Sequence, residues 1–356
     1  MTDEQTFHVI VVLAWSMLAF TALTQIIVTL RPATLSSLGG TLRRRPLQLS
    51  PAQFKATFRL SEDDVEEILP FLPLPSRVKT SAGDVCSRRS AFLYALAYLG
   101  GTTLLRLEQL FGRSYSSSSR IAQHTISLIY SRWSPLLDVR QAHHRLLSPA
   151  NLESCAQALR RFGCPSAEVW GFLDGTLQPI ARPKRDQRSF YNGWKRHHAV
   201  KYQIVTDARG LIWIHGPFRG PRHDGTMLRE SGLHAWLEAH SHRPGGEELF
   251  LFVDKGYAAR GLLMTPYKGS GTTHAQQRFN LEMSRVRVEV EHALGWIPKT
   301  FPRLDYKRLQ RVLLSSLGKE FKVAVLLVNA VSCIHGNQTS QRIGLDPPSL
   351  QEYFSL

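Results

Sequence analysis

The spacing of apolar positions divides the chain into a helical front and a strand-rich centre. Over 51–135 the spacing is helical. LSEDDVEEILPFL begins with Ser61 as an N-cap and acids in the first turn. RSAFLYALAYL is apolar on one helical face and beyond it, the pattern of a buried helix. LLRLEQLFGRSYSSSSRIAQHTISLIY predicts a helix to Phe111, a tight turn through Gly112, Arg113 and Ser114, and a second helix from about Ser116. That outline is helix-turn-helix-like and would aim Ser117, Ser118, Ser119 and Arg120 at phosphates or base edges. An ordinary helical hairpin has the same outline.

From 167 the pattern becomes that of strands. EVWGFLD is an apolar run ending in Asp174. HAVKYQIVTDARGLIWIHGPF predicts two strands joined by a hairpin over Asp207 to Gly210. DGTMLRESGLHAWLEAH is helical, with Asp224 near its start, and ELFLFVDKGY is another buried strand ending in an acid, Asp254. GLLMTPY predicts a short further strand, 275–297 a long helix, and KVAVLLVNAVSCIHG a closing helix stopped by Gly336. The result is an α/β chain with an N-terminal helical region. Boundaries fall at 1–50 (apolar helix and basic linker), 51–150 (helical), 151–340 (strand-rich) and 341–356 (tail).

Charge adds a partner to this picture. The 356 residues hold 44 Lys+Arg against 28 Asp+Glu, a net +16. An excess of that size calls for a polyanion, nucleic acid before an anionic membrane. The basic residues cluster after Asp174: Lys184, Arg185, Arg188, Lys195 and Arg196, interleaved with Phe190, Tyr191 and Trp194. Those aromatics suit stacking on bases or wedging between them, or else a small loop core. Four cysteines, with no Cys-x-x-Cys pair and no zinc spacing, are expected to be free thiols. Residues 9–30 carry no charge and are long enough to span a bilayer. Arg31 and Arg43 to Arg45 would flank such a span, and a helix docked on the protein or on a second copy fits the same stretch.

The acids suggest chemistry. Asp174 and Asp254 each follow a buried strand, and neighbouring carboxylates resist joint ionisation unless a cation joins them. A hard divalent ion with oxygen ligands fits, with a third acid from the helix at 275–297. Of Glu282, Glu289 and Glu291, Glu291 lies four residues after Arg287 and shares its face, while Glu289 is about 160° round the helix from Glu291. Arg287 could keep Glu291 ionised and touch phosphate.

GFLDGT, GPRHDGTMLRESGL, LFVDKGY and RVRVEVEHALGWIPKTF together resemble the PIF/Harbinger transposases and their derived nucleases, over roughly residues 50 to 335. The resemblance implies an RNase H-like mixed sheet flanked by helices in 151–340, with a D-D-E site. By motif, Asp174 is the first acid, Asp254 the second and Glu291 the third, within the matched Arg287, Glu291 and Gly295 pattern. Asp224, in the matched RGPRHD, is a further metal ligand. A triad of Asp174, Asp224 and Glu291 is the alternative assignment. Pro221-Arg222 stands where the family has Gly-Ser, and Pro298 precedes the basic Lys299.

The implied activity is a DDE endonuclease/transposase using two Mg²⁺ (or Mn²⁺) ions for phosphodiester hydrolysis and strand transfer. Arg120, Lys184, Arg185, Arg188, Lys195, Arg196, Arg287 and Lys299 would hold DNA. A Myb-like partner, a homo-oligomer and a nuclear location follow from the same resemblance. The alternatives are a catalytically silent, domesticated DNA-binding or scaffold protein, and membrane association through 9–30.

Overall fold

The computed structural model describes residues 49–142, 145–257, 260–269, 271–312 and 316–355. The apolar stretch 9–30 and Arg43 to Arg45 lie outside them. No helix among the described residues is long and apolar enough to cross a membrane. Pro46–Leu356 forms a compact unit of its own.

The helical front comprises α1 (Pro51–Phe58), α2 (Glu62–Ile68), a small ladder of β1 (Arg77–Lys79) and β2 (Val85–Ser87), then α3 (Arg88–Leu99), α4 (Leu104–Phe111) and α5 (Tyr115–Trp133). Local chemistry sets the ends. Ser61 and Asp64 close a capping box on α2, and Gly112 ends α4 at φ 65°, a backbone that L side chains rarely adopt. Ser114 then caps α5, so the predicted helix–turn–helix outline is present. Its presumed reading face is turned differently. Ser117 and Ser118 are buried, and Ser117 Oγ donates to Asp84 Oδ1 at 2.7 Å. Arg120, expected at phosphate, instead donates to both Asp84 oxygens, at 2.8 and 3.1 Å. Asp84 sits just before β2, a neighbour that linear spacing does not reveal.

After α6 (Val139–Ala142) and α7 (Pro149–Phe162), the sheet begins with β3 (Val169–Pro179). There follow α8 (Gln187–Phe190), β4 (Tyr191–Asn192), β5 (His197–Asp207), β6 (Ile212–Arg219), α9 (Asp224–Ser231), α10 (Leu233–His240), β7 (Phe250–Val253) and β8 (Leu263–Met264). The six strands form a mixed sheet. β5 pairs antiparallel with β3 and also with β6 and β4; on the other side of β3 lie β7 and then β8, both parallel pairings. The chain crosses from β6 to β7 through α9 and α10, which a parallel pair requires. The α11 helix (His274–Thr300), followed by α12 (Leu317–His335), α13 (Gln338–Ile343) and α14 (Leu350–Tyr353), completes the unit. This is the helix-flanked mixed sheet of an RNase H-like fold.

Front helices and sheet share one core. Arg303, after α11, donates to Glu320 of α12 at 3.1 Å and to the Tyr98 hydroxyl of α3 at 2.6 Å, all three buried. The tail at 341–356 folds back: Phe354 is buried and stacks on Phe71. All four cysteines are free thiols.

The α2 cap supplies a stability test. Asp64 is buried, accepts from the Ser61 amide at 2.8 Å and lies 2.6 Å from His335 Nε2. Burial alone would raise its pKa, but the bonds from His335 and Ser61 outweigh burial and lower it. A lowered folded-state pKa means stability that is present above the unfolded value and lost as pH falls through the folded one. Asp64→Ala should cost about 1–2 kcal/mol at neutral pH in denaturant titration, and its deficit should shrink below about pH 4.

Candidate active site

Two strands deliver two acids to one place. The parallel register of β3 and β7 ends at Leu173↔Val253, so Asp174 and Asp254 are the next residue of each strand. Sequence spacing placed Asp174 at a strand tip. The structure carries β3 five residues further, paired with β5 through Pro179↔Ala199. Asp174 therefore sits mid-strand, at the point where its partner β7 stops. The sheet opens there on one side only, which leaves the carboxylate both rigid and accessible.

The third acid arrives on α11. That helix starts from a Thr273–Gln276 capping box and turns Met283, Val286, Ala293 and Ile297 into the core at helical spacing. Packing that stripe aims Arg287 and Glu291 at the strand ends. Arg287 Nε lies 3.0 Å from Glu291 Oε1, Nη1 3.2 Å from Asp254 Oδ1 and Nη2 3.3 Å from Asp174 Oδ2. One guanidinium thus joins all three acids. Burial works against the charged form of Arg287, yet Asp174, Glu291 and Asp254 raise its pKa. Burial pushes the Asp174 carboxyl up, with Glu291 and Asp254 adding to the rise, against the Gly175 amide and Arg287. The Gly175 N–H donates to Asp174 Oδ1 at 2.7 Å.

Asp224, the first residue of α9, approaches from the opposite side. A Cβ on Gly175 would stand 2.5 Å from Asp224 Oδ1, so a side chain at 175 would force that carboxylate to move. Asp224 Oδ1 is 2.6 Å from Lys201 Nζ, and Lys201 is itself buried on β5. That oxygen is buried without a well-aligned hydrogen bond. The Tyr257 hydroxyl, three residues beyond Asp254, is likewise buried and unpartnered. Burial and then the charges of Asp224, Asp174 and Asp254 push its pKa up. Sequence reasoning missed Lys201 and Tyr257. The signal for Lys201 was a lysine inside an otherwise apolar strand, a position that demands a buried acid.

The donor set, carboxylate oxygens with excess negative charge, has the chemistry of a hard divalent cation. Among the described residues no three acids, His or Cys stand close enough to share an ion. The three carboxylates are spaced around Arg287, and an ion would take the place the guanidinium holds. Asp224, held by Lys201, is a fourth carboxylate near this cluster.

The expected DNA contacts lie in four places. Lys184, Arg185, Arg188, Lys195 and Arg196 are exposed on the β3–β5 connection, and Lys299 is exposed near the end of α11. Arg287 is in the acid cluster, and Arg120 is remote from it in sequence and bound to Asp84. Phe190 packs against the core, whereas Tyr191 and Trp194 are exposed.

Residues 173–329 match the family model described as DDE superfamily endonuclease. The chain is 32% identical over 136 residues to a probable transposase for insertion sequence element IS702 from Microchaete diplosiphon, covering 36% of this chain and 46% of that protein. It is 23% identical over 295 residues to Protein ALP1-like from Arabidopsis thaliana, covering 74% of this chain and 68% of that protein. The chain thus spans about half the length of the insertion-sequence relative. No solved structure matches it. The matched stretch runs from β3 into α12, the part of the chain that carries Asp174, Asp254 and Glu291.

Proposed function

We propose that this DDE-type chain is a divalent-metal-dependent DNA endonuclease and transposase of the PIF/Harbinger branch, acting by phosphodiester hydrolysis and strand transfer at DNA ends. The observation that carries the reading is the convergence of Asp174, Asp254 and Glu291 on one cationic point, each within 3.3 Å of Arg287. Carboxylates from two strands and a helix have no structural need to meet there, and the net +16 supplies attraction for a polyanion.

Asp174, Asp254 and Glu291 would hold Mg²⁺ or Mn²⁺, two ions in all, with Asp224 as an additional ligand. Such ions, when bound, polarise the attacking and leaving oxygens of an in-line displacement. The protein's own part is positioning. The β3–β7 register sets Asp174 beside Asp254, and α11 brings Glu291. Arg287, once released from the acids, is a fork suited to a phosphate. Lys184, Arg185, Arg188, Lys195, Arg196 and Lys299 would hold the DNA backbone. A nuclear location, a homo-oligomer and a Myb-like partner that adds sequence specificity belong to the same reading.

The test is cleavage of duplex DNA by the full chain with Mg²⁺ or Mn²⁺, repeated with EDTA. Nicking or cutting that chelation abolishes is the expected result. Tight DNA binding with no cleavage in either metal would replace this reading with that of a silent, transposase-derived DNA-binding protein.

A further inference from the structure

The turn at 193–196 is the most exposed aromatic feature among the described residues. β4 pairs with the start of β5, Tyr191↔His198 and Asn192↔His197, and the turn projects beyond them. Trp194 at its tip is 88% exposed. An indole left in water that way gains nothing for the fold. Yet the turn is firmly built. Asn192 Oδ1 accepts from the Lys195 amide at 2.9 Å, and Asn192 Nδ2 donates to the Gly220 carbonyl at 2.9 Å. Gly220 is clamped in turn: a Cβ there would stand 2.6 Å from the carbonyl oxygens of both Phe190 and Ala199. Gly220 lies four residues before Asp224, so the mount of the turn is continuous with the active-site segment.

The charge around Trp194 is unbalanced. Among the described residues, Lys184, Arg185, Arg188, Lys195 and Arg196 form no ion pair, whereas Lys201, Arg209, Arg222 and Arg287 each hold an acid. An exposed aromatic within a run of uncompensated cations has the chemistry of a platform for a base flanked by phosphates. Distance is suitable as well. The Asn192↔His197 pair lies six residues along β5 from Gln203, the register partner of Gly175. At ~3.3 Å per residue that is about 20 Å from the acids, or roughly six nucleotide steps at the ~3.4 Å spacing of a stacked DNA strand.

We propose that the 193–196 turn is a base-stacking site for single-stranded DNA, Trp194 taking one unpaired base and Lys195 and Arg196 the phosphates beside it. The site rests on the reading of this chain as a DNA-processing enzyme and adds where an unpaired strand is held, about six nucleotides from the acids. It separates three aromatics that sequence grouped together: Phe190 packs against the core, Tyr191 packs edge-on against His198, and Trp194 alone is free to stack.

The experiment is a titration of the full chain, in metal-free buffer, with a single-stranded oligonucleotide and separately with a duplex. Tryptophan emission and anisotropy of a labelled strand are both followed. Trp133, Trp170, Trp213 and Trp236 are buried, Trp296 packs partly buried against the core and Trp15 lies outside the described residues, so the difference in emission between the parent and Trp194→Ala isolates the Trp194 signal. Single strands should quench that emission. Trp194→Ala should abolish the quench and weaken single-strand binding about tenfold, Trp194→Phe should keep most of the affinity, and duplex binding should change little. Unchanged thermal unfolding of both variants checks the fold. Single-strand binding without quenching, or equal affinity for Trp194→Ala, overturns the site while leaving the enzyme reading intact. Absence of any DNA binding overturns both. A blue shift on phosphatidylserine vesicles, with no quench by DNA, would make the turn a membrane contact instead.

Discussion

Asp174→Asn should reduce metal-dependent DNA cleavage by on the order of 10³-fold or more, with Asp254→Asn and Glu291→Gln falling alongside it. The substitution keeps shape and removes charge. Asp174 is the acid held most firmly, because it lies mid-strand on β3, beside Asp254 at the end of β7 and joined to Glu291 through Arg287. Asp224→Asn should retain cleavage within about tenfold of the parent, since its carboxylate is engaged by Lys201 and takes no part in the Arg287 cluster. Initial cleavage rates under single-turnover conditions would measure all four, with circular dichroism as the check on folding. Full activity in Asp254→Asn, with Asp224→Asn inactive, would move the triad to Asp174, Asp224 and Glu291.

The second expectation concerns Arg287. Replacing it with Gln should tighten Mn²⁺ binding by on the order of 10²-fold in the absence of DNA. In the parent an ion must displace a guanidinium already shared by three carboxylates; in the variant it meets them unpaired. At each contact the Coulomb term near a protein surface is worth a few kcal/mol. Here it is discounted, because the acids are a third to a half exposed, to about 1 kcal/mol apiece. Stability should move the opposite way. The metal-free variant should melt a few degrees below the parent, since three carboxylates lose their shared cation, and Mn²⁺ should restore it. Calorimetric titration and thermal melts with and without Mn²⁺ are the measurements. Equal Mn²⁺ affinities would mean that Arg287 does not occupy the ion's place, whatever the cleavage assay reports.

The N-cap at Ser61, the glycine turn at Gly112, the strand–hairpin–helix–strand order after 167 and the long helix over Arg287 and Glu291 were all legible along the chain. They rest on short-range physics: capping bonds, turn conformations and apolar period act over a few residues. The acids stood out for the same reason, as charges at the ends of apolar runs. What lay beyond this reach was pairing. That β3 runs five residues past Asp174 depends on β5 continuing beside it after β7 has ended. That Arg120 turns to Asp84, 36 residues earlier, depends on a ladder of three-residue strands too short to announce itself.

The sequence by itself determined the types of element, the basic character of the β3–β5 connection and which acids could do chemistry, because each is a property of a residue and its near neighbours. Only the tertiary structure decided that one arginine gathers three of those acids, that Lys201 answers the fourth, and that Trp194 faces water while Phe190 packs against the core. Such outcomes depend on how strands register and how a helix face packs. A carboxylate's partner is whichever cation the folded chain brings within about 4 Å, and that distance is set by the whole core rather than by local spacing.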